Sequence, residues 1–329
     1  MPRLSIVIPS LGGAAEFETT LASVLQNRPA DCEVLVVHRG QYDDPYALAG
    51  EVRFLQVDEE SVAAQMNHAL RCARAAVVHF LRCGLETTEG WAEVALTHFR
   101  DPEVAAVVPL VFAQDRQSLV AGGVRWTRGG CRQVVTDLRI AQPGHGRLRS
   151  AVLGPTLLAG FYRREVLGAL DGFDQRLGDG LADVEMALAL RELELRAVCE
   201  PSCRLIQVHA CAESAPNVGN LAWAEEHLFW RSVPRPVDPV TLGWHALAAA
   251  GATLRPVLHG SISQAVRAVA GRLVAACDLR LARRHRQRLA QAAQRLDDVA
   301  TLRARTQRTL NGVSSAEGQS PTTAQRRAA

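Results

Sequence analysis

Short, continuous apolar runs alternate with amphipathic segments over the first two thirds of the chain. Each run is too short for a helix of ordinary length and is rich in β-branched residues, which is typical of strands buried on both faces. The five runs are residues 4–9, 33–38, 52–57, 75–81 and 104–112. They predict the strands of a single sheet.

The segments between these runs have helical periodicity. Phe17, Leu21, Val24 and Leu25 fall on one helical face, and residues 61–74 predict a second helix with Ser61 at its N-cap. A third helix is predicted over 91–99. This alternation predicts an α/β fold, in which a mostly parallel, Rossmann-like sheet carries helices on both faces.

The pattern breaks at 113–150, which is rich in Gly, Arg and Thr and predicts a hairpin or an irregular insertion. It resumes at Val152 and closes with short strands at 196–200 and 205–208. Ligands of open sheets bind beyond the carboxyl ends of the strands, so chemistry is expected in the loops after Val37, Leu81 and Val208.

A helical region is predicted over 215–311, after a first domain at 1–214 and before a low-complexity, disordered tail at 312–329. From Ile262 onward, apolar residues recur every three or four positions and predict a long amphipathic helix or helical pair with an Arg-rich outer face. These residues are Val266, Val269, Leu273, Cys277, Leu289, Leu296, Val299 and Leu302.

Composition adds limits rather than a function. The chain has 329 residues, 48% of them hydrophobic, and a formal net charge of +3, with Arg concentrated in the last part. The longest apolar stretch, 240–258, is interrupted by His245, Arg255 and Pro256, so no membrane span is predicted. Eight scattered cysteines and no apolar leader indicate a reducing, cytoplasmic location.

An acidic helix start stands out within residues 158–209. Asp183 and Glu185 fall in a first helical turn, where free N–H groups and the helix dipole favour ionised carboxylates. That position suits a helix cap and a general base equally well.

Several segments together resemble family 2 glycosyltransferases of the nucleotide-sugar-binding GT-A fold, over roughly residues 3–210. The most specific are AGGVRW at 121–126, LAGFYRREVLGALDGFDQRLGDGLADVEMALALR at 158–191 and CEPSCRLIQVH at 199–209. SIVIPS, EVLVVHRG and AAQMNHALRCARAAVVHFL resemble earlier parts of the family domain. The resemblance implies transfer of a sugar from a nucleotide-diphosphate donor, with cell-envelope polysaccharide synthesis as the family's common setting.

The resemblance implies specific roles for residues. Asp183 matches the family's base, which deprotonates the acceptor hydroxyl and inverts the anomeric configuration. No metal ligand is assigned. The substrate-binding positions are His38, Arg39, Asn67, Arg82, Gly84, Glu185 and His209. Two alternatives stay open: Asn67 bonds the donor or the nearby backbone, and His209 contacts phosphate or is a buried structural histidine.

The donor side departs from the family pattern. The family's usual acids after the second strand are replaced by His38-Arg39-Gly40-Gln41, and its Asp-Xaa-Asp position reads Arg82-Cys83-Gly84. The ligands that would hold Mg²⁺ or Mn²⁺ are thus missing. In one interpretation Arg82, with Arg39, replaces the ion by binding the diphosphate, and transfer is metal-independent. In the other, the site has decayed and the chain is an inactive binding or scaffold protein.

Other chemistries are weaker. Nucleotidyl transfer would need the same missing carboxylates, and Cys199, Cys203, His209 and Cys211 lack the usual spacing of a zinc site. Arg spread along a helix without interleaved aromatics is a weak nucleic-acid signal, so no nucleic-acid partner is expected. The expected partners are a nucleotide-sugar, a glycan or lipid-linked acceptor, and either a second copy or a membrane surface contacted by the C-terminal helices.

Overall fold

The computed structural model describes residues 2–11, 13–40, 44, 47–211, 218–233, 236–277, 284–298 and 300. The strands described are β1 (Leu4–Pro9), β2 (Cys32–His38), β3 (Val52–Gln56), β4 (Val77–Leu81), β5 (Leu85–Thr87), β6 (Val104–Ala113), β7 (Leu119–Ala121), β8 (Val124–Trp126), β9 (Arg132–Val134), β10 (Ala159–Arg163) and β11 (Arg196–Gln207). The helices described are α1 (Ala14–Asn27), α2 (Val62–Cys72), α3 (Trp91–His98), α4 (Gly146–Ser150), α5 (Arg164–Ala169), α6 (Ala182–Glu192), α7 (Val218–Ser232), α8 (Pro239–Leu258), α9 (Ile262–Cys277) and α10 (284–298). The predicted boundary at 214 and the predicted tail at 312–329 lie outside these residues.

Within the described chain, nine strands form one sheet in the order β3-β2-β1-β4-β10-β6-β11-β5, with β7 paired to β6. Strands β1, β2, β3, β4, β6 and β11 run in one direction, whereas β5, β7 and β10 run in the other. The prediction of a mostly parallel sheet is confirmed. Near the centre of the sheet, strand β10 departs from this parallel arrangement, because it pairs antiparallel with both β4 and β6.

Helices cover both faces of the sheet, as predicted. Strand β1 shows why: alternate side chains point to opposite faces, so Ile6 packs with Phe17 of α1 while Val7 packs with Met66 of α2. Both layers consist of buried apolar residues, and Trp91 of α3 is fully buried in the first of them. Ser61 caps α2 through a bond from the Ala64 amide, as predicted.

One sequence-based prediction needs revision in this region, and the hairpin alternative for 113–150 is confirmed. The short strands predicted at 196–200 and 205–208 are one strand, β11, whose register with β6 is irregular between Cys199 and Arg204. The irregular 113–150 segment contains a small separate hairpin, β8–β9. That hairpin carries a residue of the candidate site.

The C-terminal helices confirm the predicted helical content but correct the direction of one face. Val266, Val269 and Leu273 of α9 are exposed, so the periodic apolar positions do not point inward there. In α10 the periodicity does mark the inner face, since Leu289 and Leu296 pack against the main core. Val299 and Leu302 lie outside the described residues. No helix among the described residues is long and apolar enough to cross a bilayer.

Candidate functional site

Four loops meet at the carboxyl edge of the sheet, after β1, β2, β4 and β11. The Ser10 amide donates to Val37 O of β2 at 2.7 Å, and the Cys83 thiol donates to Pro9 O of β1 at 3.3 Å. Burial raises the pKa of Cys83 to about 12, so this thiol is a neutral packing group. These bonds join the loops in which the sequence analysis expected a site.

The Arg82-Cys83-Gly84 loop connects three neighbouring elements. The Arg82 amide donates to Leu158 O at 2.9 Å, and the Gly84 amide donates to Thr20 Oγ1 of α1 at 2.9 Å. Gly84 O accepts from the amides of Val208 and His209. These surroundings bury Arg82, so that only 6% of the residue is exposed.

Gly84 brings the loops after β4 and β11 into direct contact. Its φ is +92°, and a Cβ atom there would lie 2.8 Å from His209 O. The imidazole of His209 is exposed, so the alternative of a buried structural histidine is wrong. The structure therefore places Arg82, Gly84 and an exposed His209 next to one another.

Asp183 lies in the first turn of α6, as predicted, and its carboxylate is completely buried. The Arg132 guanidinium of β9 binds both oxygens, with Nη2–Oδ2 at 2.7 Å and Nε–Oδ1 at 3.0 Å. The Val184 amide donates to Oδ1 at 2.8 Å. This pairing makes Asp183 an anchored carboxylate with one charged neighbour, which the sequence did not reveal.

Burial raises the pKa of Asp183 above its usual range, against the opposing effects of the Arg132 guanidinium and of the Val184 and Leu157 amides. A raised carboxyl pKa lies closer to neutrality and makes a stronger base than an exposed aspartate. The electrostatics of the position are thus compatible with proton acceptance.

A two-residue segment before β10 lies beside both Asp183 and the loop after β4. The Leu157 amide lies close enough to the Asp183 carboxylate to lower its pKa, while Leu158 O accepts from the Arg82 amide at 2.9 Å. Strand β10 starts at Ala159 and pairs with β4, which fixes this segment at the same sheet edge as Arg82. The Asp183 carboxylate and the backbone of Arg82 therefore both adjoin the Leu157–Leu158 segment.

The β8–β9 hairpin holds Arg132 in place and was missed as a source of site residues. Trp126 Nε1 donates to Ser232 Oγ of α7 at 3.0 Å, and His245 Nδ1 of α8 lies 2.8 Å from Gly129 O. The 113–150 segment has no hydrophobic period, so no sequence signal indicated that Arg132 faces Asp183, 51 residues away. The C-terminal helices thereby position the acceptor side of the site.

Two predicted substrate-binding residues have structural partners. Asn67 exchanges two hydrogen bonds with the Phe173 backbone, at 2.7 and 2.8 Å, which favours the backbone alternative for this residue. Glu185 is fully buried and pairs with Arg288 of α10 at 2.8 Å and with Arg231 of α7 at 3.3 Å. In this structure Glu185 links α6 to the C-terminal helices.

The loop after β2 contributes less directly. His38 Nδ1 accepts from the Gly40 amide at 3.1 Å, and burial lowers the pKa of His38, so its ring is neutral near pH 7. The Arg39 guanidinium is paired with Glu60 at 3.0 Å on the surface. Both residues lie at the correct edge, but the structure gives them local partners.

The donor groups at this edge do not fit a divalent cation. The position after β4 carries a buried guanidinium, and the described residues contain no group of three or more His, Cys, Asp or Glu side chains that could hold a metal ion. Glu86, the next carboxylate after this position in sequence, lines a separate surface cavity of about 440 Å³ beside α1. The chemistry available is that of a cationic, hydrogen-bonding anion site.

Comparisons with known proteins agree with this architecture. The family described as Glycosyl transferase family 2 matches residues 5–141 of the chain. The O-antigen biosynthesis protein RfbC of Myxococcus xanthus is 27% identical over 227 residues, which cover 65% of this chain and 18% of that protein. The chain thus spans less than a fifth of the length of this curated relative.

Two solved structures have a similar fold. GalNAc-T7, with UDP, GalNAc and Mn²⁺, has a TM-score of 0.54 at 15% identity. The matched region covers 70% of this chain and 50% of the GalNAc-T7 chain. The mannosyltransferase PcManGT of Pyrobaculum calidifontis, with GDP-Man and Mn²⁺, has a TM-score of 0.52 at 18% identity, covering 89% and 86%. The predicted GT-A-like fold is confirmed by these similarities.

Proposed function

We propose that the chain transfers a sugar from a nucleotide-diphosphate donor to an acceptor hydroxyl, because its residues 5–141 match the family described as Glycosyl transferase family 2. The observation that carries this proposal is that the Asp183 carboxylate and the backbone of Arg82 both adjoin residues 157–158, at the carboxyl edge of the sheet. Asp183 is a carboxylate suited to proton acceptance, and Arg82 is a cation suited to diphosphate. The acceptor class is a glycan or a lipid-linked sugar, as in polysaccharide synthesis.

The transfer step follows from these two groups. The acceptor oxygen attacks the anomeric carbon from the Asp183 side, and its proton passes to the Asp183 carboxylate. The bond from that carbon to the phosphate oxygen breaks, and its electron pair leaves with the nucleoside diphosphate, which inverts the configuration. For the hydroxyl to reach the buried carboxylate, the Arg132 side chain has to release at least one of its bonds.

The diphosphate is stabilised by Arg82 in place of a metal ion. A guanidinium forms bidentate, charge-assisted hydrogen bonds with phosphate oxygens and keeps its charge at all relevant pH values. The exposed His209 and the amides of the loop after β4 lie beside it. The negative charge that develops on the leaving group is therefore met by a fixed cation, and transfer is metal-independent.

Calorimetry with UDP, GDP and dTDP in excess chelator, then with Mn²⁺, tests this proposal. We expect one nucleotide to bind in chelator and Arg82→Ala to weaken it by about tenfold to a hundredfold, the value of a charge-assisted bond. Arg82→Lys keeps the positive charge but removes the planar, bidentate guanidinium, so it separates these two contributions to binding. Arg147→Ala, at an exposed position of α4, controls for the removal of one positive charge.

Each outcome has a distinct meaning. Absence of nucleotide binding under both conditions would identify the chain as an inactive binding protein. Binding that requires Mn²⁺ and survives Arg82→Ala would contradict metal independence while retaining nucleotide-sugar chemistry. Thermal unfolding of each variant shows whether a lost signal reflects the site or the fold.

A further inference from the structure

Helices α8 and α9 carry their large apolar side chains on the outside. The two helices pack against each other, and we call this surface the outer α8–α9 face. Leu247 exposes 64% of its area and Val266 exposes 62%. The exposed residues are Val240, Leu242, Trp244, Leu247, Leu254, Val257 and Leu258 of α8, and Ile262, Val266, Val269, Leu273 and Val274 of α9. An apolar surface of this kind marks an interaction site on a soluble domain.

The inner faces of the same helices are small or polar. Thr241 and His245 are the buried residues of α8, and Ala265, Ala268 and Ala275 are buried on α9. A Cβ atom on Gly271 of α9 would lie 2.3 Å from Gly219 O of α7, so these two backbones touch. An amphipathic helix on a water-exposed surface buries its large apolar residues, whereas α8 and α9 expose them and bury small or polar ones. This arrangement resembles that of helices that pack through small residues and face lipid.

The charges of this region all have one sign. Residues 239–277 contain no Asp or Glu. Arg255 and Arg267 are exposed, whereas Arg272 points inward and pairs with Glu225 and Glu226 at 3.0 Å each. The exposed charge of the two helices is therefore positive, which complements a negative surface.

We propose that the outer α8–α9 face binds the surface of an anionic lipid bilayer. Its Leu, Val, Ile and Trp side chains enter the boundary between headgroups and acyl chains, and Arg255 and Arg267 contact lipid phosphates. The helices lie on the surface, because neither can cross a bilayer. A second copy is disfavoured as occupant, since the 239–277 segment supplies cations but no carboxylates to pair with them.

The bilayer contact adjoins the acceptor side of the candidate site. Gly129 of the β8–β9 hairpin contacts the Trp244 backbone and His245 Nδ1 of α8, and Arg132 follows on the same hairpin. Resting on the proposed function, this arrangement presents Asp183 to a sugar acceptor whose lipid anchor lies in the same membrane. Bilayer binding itself does not depend on catalysis.

Flotation of the full chain with vesicles tests the proposal. The vesicles contain phosphatidylglycerol and phosphatidylcholine, or phosphatidylcholine alone. We expect binding to the anionic vesicles that weakens with salt, and a blue shift of tryptophan emission that is lost in Trp244→Phe. Leu247→Glu and Val266→Glu, one on each helix, are each expected to weaken partitioning by about tenfold. Leu138→Glu is the matched control, because Leu138 is equally apolar and 43% exposed outside these helices.

No binding to anionic vesicles, or binding that Leu247→Glu and Val266→Glu leave unchanged, would overturn the proposal. A concentration-dependent dimer that dissociates in Leu247→Glu would also overturn it and identify a second copy as the occupant. Nucleotide affinity measured on the same variants separates the two proposals. Loss of vesicle binding with unchanged nucleotide binding concerns the membrane surface alone.

Discussion

Both carboxylate oxygens of Asp183 accept hydrogen bonds from the Arg132 guanidinium, although the two residues lie 51 positions apart in sequence. The carboxylate is completely buried, and the guanidinium side chain is 28% exposed. Arg132 therefore covers the buried carboxylate of the candidate base, while its own side chain remains partly exposed to solvent. An acceptor that displaces or shares Arg132 would gain access to Asp183.

Asp183→Asn is expected to lower kcat for sugar transfer by about a hundredfold to ten-thousandfold, since an amide cannot accept the acceptor proton. Donor affinity should change little, because the proposed mechanism assigns Asp183 to the acceptor hydroxyl and not to the nucleotide. The measurements are transfer kinetics and calorimetry with the donor nucleotide. Asp174→Asn, which removes another Arg-paired carboxylate near the start of α6, is the control. Full activity in Asp183→Asn would exclude this residue as the base.

Arg132→Ala leaves the Asp183 carboxylate buried without its partner and raises its pKa further. A folded-state pKa above the unfolded value makes ionisation costly, so stability falls as the pH rises through the unfolded value towards the folded one. We expect a loss of about 3 kcal/mol at pH 8 and a smaller loss at pH 5, measured by urea unfolding. Arg139→Ala is the matched control, because the Asp137–Arg139 pair has the same bidentate geometry but lies at the surface. A loss that does not depend on pH would contradict this account of Asp183.

Gly84→Ala places a methyl group against His209 O in a backbone conformation that disfavours side chains. We expect a stability loss of about 1–3 kcal/mol and weaker nucleotide binding, because the loops after β4 and β11 have to separate. Gly90→Ala isolates the contact from the conformation, since Gly90 also has a positive φ, +70°, but nothing within 4 Å of the new Cβ atom. Equal nucleotide affinity in both variants would show that the Gly84–His209 contact does not shape the donor site.

His245 gives the C-terminal helices a pH dependence. Burial favours the neutral imidazole, but the Glu226 carboxylate and Gly129 O outweigh it and raise the pKa of His245. The stabilisation is full below about pH 6.5, the unfolded value, and is lost as the pH rises through the raised folded value. Hydrogen exchange of α7 and α8 should therefore quicken above that pH. In His245→Gln the exchange rates, corrected for intrinsic chemistry, should show no such transition, and a retained transition would assign it to another group.

Local pattern was enough to predict the sheet and the place of Asp183 at the start of α6, because both follow from periodicity and helix-terminus chemistry. It was not enough for Arg132, which reaches Asp183 only after the hairpin folds against α7 and α8. The same limit explains Val266 and Leu273. Periodicity shows that these residues share a face, but the direction of that face is set by small residues such as Gly271, whose close contact is tertiary.

Asn67 and Glu185 illustrate a second limit. Their positions match those of family residues near a substrate, but position in a motif does not fix the partner of a side chain. The buried Glu185 carboxylate meets two guanidinium groups from α7 and α10. Those guanidinium groups lie 46 and 103 residues beyond Glu185 in sequence, so the motif alone held no information about them.

The two-residue segment Leu157–Leu158 has a consequence for how this site can vary during evolution. Its two ends bond the candidate base and the loop that carries the candidate diphosphate cation. An insertion or deletion there would change the spacing of both halves in one event. Donor preference can diverge more freely in the loop after β2, where length changes leave that spacing intact. Homologous chains with different donors are therefore expected to share the length of the 157–158 segment and to differ at 39–47.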